Sequence, residues 1–291
     1  MAALLALVSA LCYGVSDFSG GLAARRVTAT VVVLVSNTVS LGLALLAVAL
    51  LPGSAYRSTD IAWGAAAGAV GVVGVVLLYR GLAIGPMAVV APLTAVLSAV
   101  VPVVVGSVRG ERPGALAVTG VALAIPSMVL ISRDRNQAAE RRGASLDAPP
   151  RLHRAALFAA LAAGVSFGGF FVLLAQTGQD GGAWPLVGQR AVSVLILVPV
   201  CAVAALRGVQ GLPWGRPMLL AVVAGATDFS ANLAYLLAAH RGLLALVAVI
   251  SSLYPASTLL LARVLLAERL ARPQVAGLVL AGAAVAMIAA R

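Results

Sequence analysis

The chain reads as an all-α integral membrane protein, with ten transmembrane helices forming two inverted five-helix repeats around a central cavity. Three observations carry that reading. The composition is 62% hydrophobic and only 10% charged over 291 residues, with a mean hydropathy of +1.07, which leaves too little polar surface for a domain of this size in water. Ten apolar runs approach the length of about 20 residues that a helix needs to cross a roughly 30 Å hydrocarbon core. Gly85, Glu111 and Gly120, spaced 26 and then 9 positions apart, recur with both intervals as Gly242, Glu268 and Gly277.

The runs fall near 1–22, 30–51, 61–82, 87–108, 114–132, 155–175, 184–206, 217–239, 243–265 and 273–290. They are continuously apolar, which suits helices; membrane strands alternate in polarity and are about half as long. The first run lacks a basic leader and leads straight into a repeat unit, so it counts as a span and not as a signal peptide. The stretches 89–108 and 246–265 each run into one of the repeated Glu residues, Gly14-Val15-Ser16 returns as Gly164-Val165-Ser166, and Val39-Ser40 returns as Val192-Ser193. The expected organisation is therefore a first repeat over 1–132, a polar linker over 133–154 and a second repeat over 155–291. The linker is too polar to cross the membrane and too short to fold alone.

Five helices per repeat is an odd number, so the second half enters the membrane upside down. The result is a pseudo-twofold axis in the membrane plane, an architecture in which two bundles rock around a midplane site and expose it to alternate sides. Parity thus predicts transport of a small molecule across the bilayer. Fourteen arginines fall in loops on the linker side and five on the other, which by the positive-inside rule puts the linker in the cytoplasm and the termini outside. The net charge of +11 is carried without any Lys, and its scatter over loops marks topology and excludes a nucleic-acid partner. Cys12 and Cys201 lie inside apolar runs with no metal-ligand spacing and read as core thiols. No metal, cofactor or nucleotide motif is present, so active transport has to draw on an ion gradient.

Polar residues inside apolar runs carry the functional expectation. Asp228 falls at the middle of the eighth run, where an ionised carboxylate costs about 2.5 to 3.5 kcal/mol and needs a partner, a proton or water. Asn232 and Tyr235 follow at +4 and +7, on the same helical face. In the first run Tyr13, Ser16, Asp17 and Gly20 share a face in the same way, and the seventh run brings Gln189 and Arg190. Arg190 is expected to pair with an Asp or to hold an anionic substrate group. Two Asp against one Arg leave the interior net negative, which favours protons or cationic substrates. These residues, Gly20 apart, form the expected substrate or proton site; Asn37, Ser251, Ser252 and Tyr254 read as ordinary interhelical hydrogen bonding, and small residues are expected to line the cavity.

Glu111 and Glu268 sit at helix ends beside Arg112 and Arg269 and read as caps satisfied by water and a local ion pair. Gly64, Gly68, Gly71 and Gly74 make a small ridge for close helix packing. Pro102 and Pro255 each remove a backbone bond inside a span, as a hinge or a shape-fitting kink. Gly164-Val165-Ser166-Phe167-Gly168 matches G-x-S-x-G and, with His240, frames an intramembrane serine hydrolase as a remote alternative. The match lacks a strand-turn-helix setting and shares its first three residues with the repeat, so no catalytic residues are assigned and no enzyme is expected.

The paired repeats, Glu111-Arg112 with Gly120, Glu268-Arg269 with Gly277, the segment 255–268 and the opening Tyr13-Gly14-Val15-Ser16-Asp17-Phe18 with Gly20-Gly21 together resemble the drug/metabolite transporter superfamily, specifically its ten-helix EamA-domain members. The likeness covers nearly the whole length. It implies a basket of helices around a central cavity, with the last helix of each half set outward, and an exporter or exchanger of metabolites, amino acids or drugs. It also implies cytoplasmic termini, opposite to the arginine count. The first half departs by carrying Ser98 where the second has Pro255, which predicts unequal bending of the halves. The expectation is a multi-pass cell-membrane carrier, monomeric or dimeric, that couples efflux or exchange to protons; an uncoupled or import carrier for a polar nutrient is the alternative.

Overall fold

The computed structural model describes residues 1–50, 55–84, 87–140, 154–206, 215–265 and 270–290. The described residues form helices and connecting turns only: α1 (Ala2–Ala24), α2 (Ala29–Leu50), α3 (Ser58–Ile84), α4 (Met87–Val108), α5 (Ala115–Glu140), α6 (Arg154–Leu174), α7 (Trp184–Leu206), α8 (Arg216–Ala239), α9 (Leu244–Ser251), α10 (Tyr254–Leu265) and α11 (Arg272–Ala289). A short 3-10 turn, Gln179–Gly181, joins α6 to α7. Eight segments are long and apolar enough to cross a bilayer, counting Leu244–Leu265 as one; Leu93–Val108 and Ala115–Ile131 are shorter apolar helices. With α9 and α10 as one span, ten spans result. Gly85, Glu268, Arg269 and the linker residues 141–153 lie outside the described residues, whereas α5 continues through residues 133–140 of the expected linker.

The packing follows the duplication. α1 lies along α8 as α6 lies along α3, α2 meets α8 as α7 meets α3, and α4 meets α6 as α9 and α10 meet α1. The pairs α2–α7, α4–α9 and α5–α11 join each span to its own counterpart, so the pseudo-twofold axis passes between them. One detail makes the symmetry concrete. A Cβ added to Gly120 would run into Ile288, and one added to Gly277 would run into Ile131; the 157-residue offset that relates Gly120 to Gly277 also relates Ile131 to Ile288. Glycine is required at both positions for α5 and α11 to touch.

The glycine ridge on α3 divides its work. A Cβ on Gly64 or Gly68 would overlap the carbonyl of Pro185 or Gln189, so α3 lies backbone against backbone on α7; Gly71 and Gly74 instead admit the rings of Phe170 and Phe167 from α6. The ninth span is interrupted at Ser252 and Leu253. Pro255 has no N–H to offer the carbonyl of Ser251, and its ring crowds that carbonyl, so α9 stops and α10 restarts at Tyr254. At the matching position of the first half Ser98 turns its Oγ onto the Ala95 carbonyl at 2.8 Å, and α4 is helical through Pro102. The halves therefore bend unequally, as the Ser98/Pro255 difference predicts.

Candidate functional site

A cavity of about 330 Å3 occupies the centre of the bundle and is lined by α1, α2, α3, α4, α6, α7, α8 and the start of α10. Six expected site residues line it: Tyr13, Asp17, Gln189, Arg190, Asp228 and Asn232, the last linking the others; Gly68 and Gly71 also belong to its wall. Arg190 and Asp228 form a salt bridge with side chains 10% and 23% exposed. Arg190 Nη1 donates to Asn37 Oδ1 at 2.9 Å, and Ser40 Oγ donates to Asp228 Oδ2 at 3.4 Å. Asn232 Nδ2 donates to the Asp228 carbonyl at 2.8 Å, while its Oδ1 accepts from Tyr13 Oη at 3.0 Å and from Gln189 Nε2 at 3.1 Å. α1, α2, α7 and α8 are thus tied into one polar network at midspan, which satisfies groups that hydrocarbon would penalise.

The opposite wall is aromatic. Phe167, Phe170 and Phe171 from α6 and Tyr254 from α10 line the cavity with Tyr13, and the ring centroids of Tyr13 lie 6.3 Å from Phe171 and 6.1 Å from Tyr254. This corrects the expectation of a wall made of small residues: the glycines of α3 are what allow the rings of α6 to enter. Two expected site residues point elsewhere. Tyr235 is fully buried in the hydrophobic core, donates to the Phe171 carbonyl at 2.9 Å and packs its ring 4.7 Å from that of Phe171. Ser16 donates to the Ala224 carbonyl at 2.9 Å and fastens α1 to α8. Asn37, which the sequence placed among routine interhelical bonds, is instead a direct partner of Arg190.

The cavity runs toward the linker face. Val33 near the start of α2, Val76 and Leu78 late in α3 and Leu197 in the second half of α7 all line it, and all lie on that half of the bundle. The terminus face is tied across by the α6–α7 connection. Asp60, buried at the start of α3, accepts from the Gly178 amide at 2.8 Å, Arg57 pairs with Asp180 at 2.8 Å, and Gln179 Nε2 donates to the His240 carbonyl at 3.1 Å. His240 Nε2 lies 2.8 Å from the Thr177 carbonyl, which can only accept, so that nitrogen carries the proton. Burial pushes His240 below the usual histidine range, against the opposing pull of the Thr177 carbonyl and Asp60. Ser166 donates to Ala162 within α6 at 2.8 Å, so Ser166 and His240 do not assemble a hydrolase pair. Both cysteines are free thiols.

Glu111 corrects a local expectation. Its carboxylate accepts from the amides of Leu244 at 2.7 Å and Ala245 at 3.0 Å. It therefore caps the first turn of α9 in the other half, where the orphan amides and the helix dipole both favour an anion, and is not satisfied by Arg112 alone.

Ten apolar spans in two inverted repeats around a polar midplane cavity define a multi-pass membrane protein with a transporter fold. The family model for the EamA-like transporter family matches residues 1–133 and 154–290. The chain belongs to that family, the EamA-domain branch of the drug/metabolite transporter superfamily, whose members are transporters and not enzymes. A protein of known crystal structure superposes with a TM-score of 0.74 at 19% identity, covering 99% of this chain and 96% of that one, a likeness of fold. Comparison with curated proteins finds no match.

Proposed function

We propose that the protein is a secondary carrier that couples efflux or exchange of a small amphipathic metabolite, amino acid or drug to protons. The observation that carries this is the Arg190–Asp228 pair in the wall of the cavity, with Asp17 as a second carboxylate in the same lining. The cavity lining carries two carboxylates and one guanidinium. A cationic head group and a proton then compete for the same carboxylates, and the aromatic wall receives the apolar body and the cation's field. Occupancy of one ligand expels the other through its differential affinity for the two orientations of the carrier.

The repeats 1–132 and 155–291 would rock about the linker 133–154, with the interruption ahead of Pro255 and the close contacts at Gly68 and Gly71 as the places where helices pivot. In this scheme Pro102 has a packing role, since α4 is unbroken there. The protein's partners are a small-molecule substrate, the lipid bilayer and protons. The test is flux in proteoliposomes with an imposed pH gradient and a panel of labelled candidates. Asp228→Asn is expected to abolish the pH-driven component while the variant still inserts and folds. Gradient-driven flux unchanged in that variant sinks the coupling scheme, and wild-type flux indifferent to pH favours the uncoupled carrier, in which Arg190 binds a polar nutrient.

A further inference from the structure

We infer that Gln189 selects for a substrate head that carries an N–H, so that a protonated amine is accepted and a quaternary ammonium of the same charge is rejected. The inference rests on the carrier reading above and adds a chemical requirement to it.

The Asp228 backbone carbonyl can only accept, so the group of Asn232 that approaches it at 2.8 Å is the Nδ2 amide. That fixes the Asn232 side chain, and its Oδ1 is the acceptor that faces Tyr13 and Gln189. The Tyr13 hydroxyl spends its only proton there, at 3.0 Å. Gln189 must present Nε2 to the same oxygen, at 3.1 Å, because a flipped amide would set two acceptors against each other. Gln189 Oε1 is consequently held as an acceptor by a chain of bonds that begins at a backbone carbonyl.

That oxygen has no hydrogen-bond partner among the described residues. Gln189 is 1% exposed and belongs to the cavity wall, next in sequence to Arg190. The neighbouring donors go elsewhere: Arg190 Nη1 and Nη2 to Asn37 and Asp228, and Ser193 Oγ to the Gln189 carbonyl at 3.0 Å. A buried acceptor with no donor in the wall is unfavourable unless the ligand brings one. A head with both a positive charge and an N–H meets the carboxylates of the cavity and Gln189 Oε1 together. A trimethylated head supplies the charge alone and leaves the oxygen without a donor, as the cavity wall itself does. Sites built around such a bond discriminate strongly against the analogue that lacks the donor.

The experiment measures binding to the purified wild-type protein for two graded series at fixed pH and ionic strength. The probes are phenethylamine and phenylalanine, each with its N-methyl, N,N-dimethyl and N,N,N-trimethyl forms. The dimethylammonium forms keep one N–H. The expected result is modest change through the second methyl and a loss of about tenfold or more at the third. In Gln189→Met, which keeps the volume and removes the acceptor, that last step collapses toward unity. A smooth decline with each methyl, a step that persists in Gln189→Met, or equal binding across both series overturns the inference and leaves the carrier reading standing. Binding of no member of either series overturns both.

Discussion

The Arg190–Asp228 pair makes the sharpest energetic prediction. Removing one member of a buried ion pair leaves the other uncompensated and costs about 3–5 kcal/mol. Here Asp228 is 23% exposed to the cavity, Asn37 still holds Arg190 and Ser40 still reaches Asp228, so the lower end, about 3 kcal/mol, applies to Asp228→Asn or Arg190→Gln alone. At about 2 °C per kcal/mol for a chain of this size, each single variant melts about 6 °C below the parent. The double variant removes both charges and leaves two amides able to bond each other. It is therefore expected to melt no lower than either single variant, where independent effects would double the loss. Thermal unfolding of the detergent-solubilised protein measures all four corners of the cycle. Additive losses, or single variants within about 1 °C of the parent, would refute the view that these residues are energetically one unit.

Two further outcomes follow from the terminus face. Glu111→Gln keeps the shape of the α9 cap and removes its charge; with amide contacts at 2.7 and 3.0 Å, the loss of charge assistance and of the dipole interaction is worth about 2 kcal/mol, read as a fall in melting temperature, and an unchanged melt contradicts the cap. His240 is pushed down by burial, so the unfolded chain binds its proton more tightly than the native one does. Native stability on this account is complete above the ordinary histidine value of about 6.5 and falls as the pH drops below it. His240→Gln, which retains an N–H for the Thr177 carbonyl, should flatten the melting temperature between pH 7 and 5; an identical acid slope in the variant excludes His240 as its source.

The spans were legible because hydrocarbon thickness fixes apolar length, and the polar half of the cavity was legible because Asp228, Arg190, Asn232 and Tyr13 are costly in a span without partners. The sequence could not show reach along the axis. Tyr235 shares the face of Asp228, yet seven residues carry it about 10 Å toward the terminus face at 1.5 Å per residue, past the cavity and into the core. The aromatic wall was hidden because Phe is unremarkable in any span, and only the glycines opposite Phe167 and Phe170 mark those rings. Glu111 found its partner in another repeat, 133 residues on, where local spacing has nothing to say. The break before Pro255 was foreseen only as a kink, since Leu244–Leu265 is apolar enough on average to read as one span.

The duplication also explains why the site's ion pair, Arg190 with Asp228, sits in one half. The 153-residue offset between Val39-Ser40 and Val192-Ser193 relates Asn37 to Arg190 as well, and these two side chains meet at 2.9 Å where α2 and α7 pair across the pseudo-twofold axis. Equivalent residues on such an axis face each other, so a faithful copy would set guanidinium against guanidinium in a low-dielectric span, a repulsion with no nearby solvent to screen it. Asn37 in place of a second Arg turns the same contact into a hydrogen bond. The 157-residue offset likewise relates Gly71 to Asp228: the first half contributes the space that Phe170 and the cavity occupy, the second contributes the carboxylate. A symmetric scaffold can rock, but only a charge that belongs to one half changes its surroundings when it does, and that difference is what a coupled carrier needs.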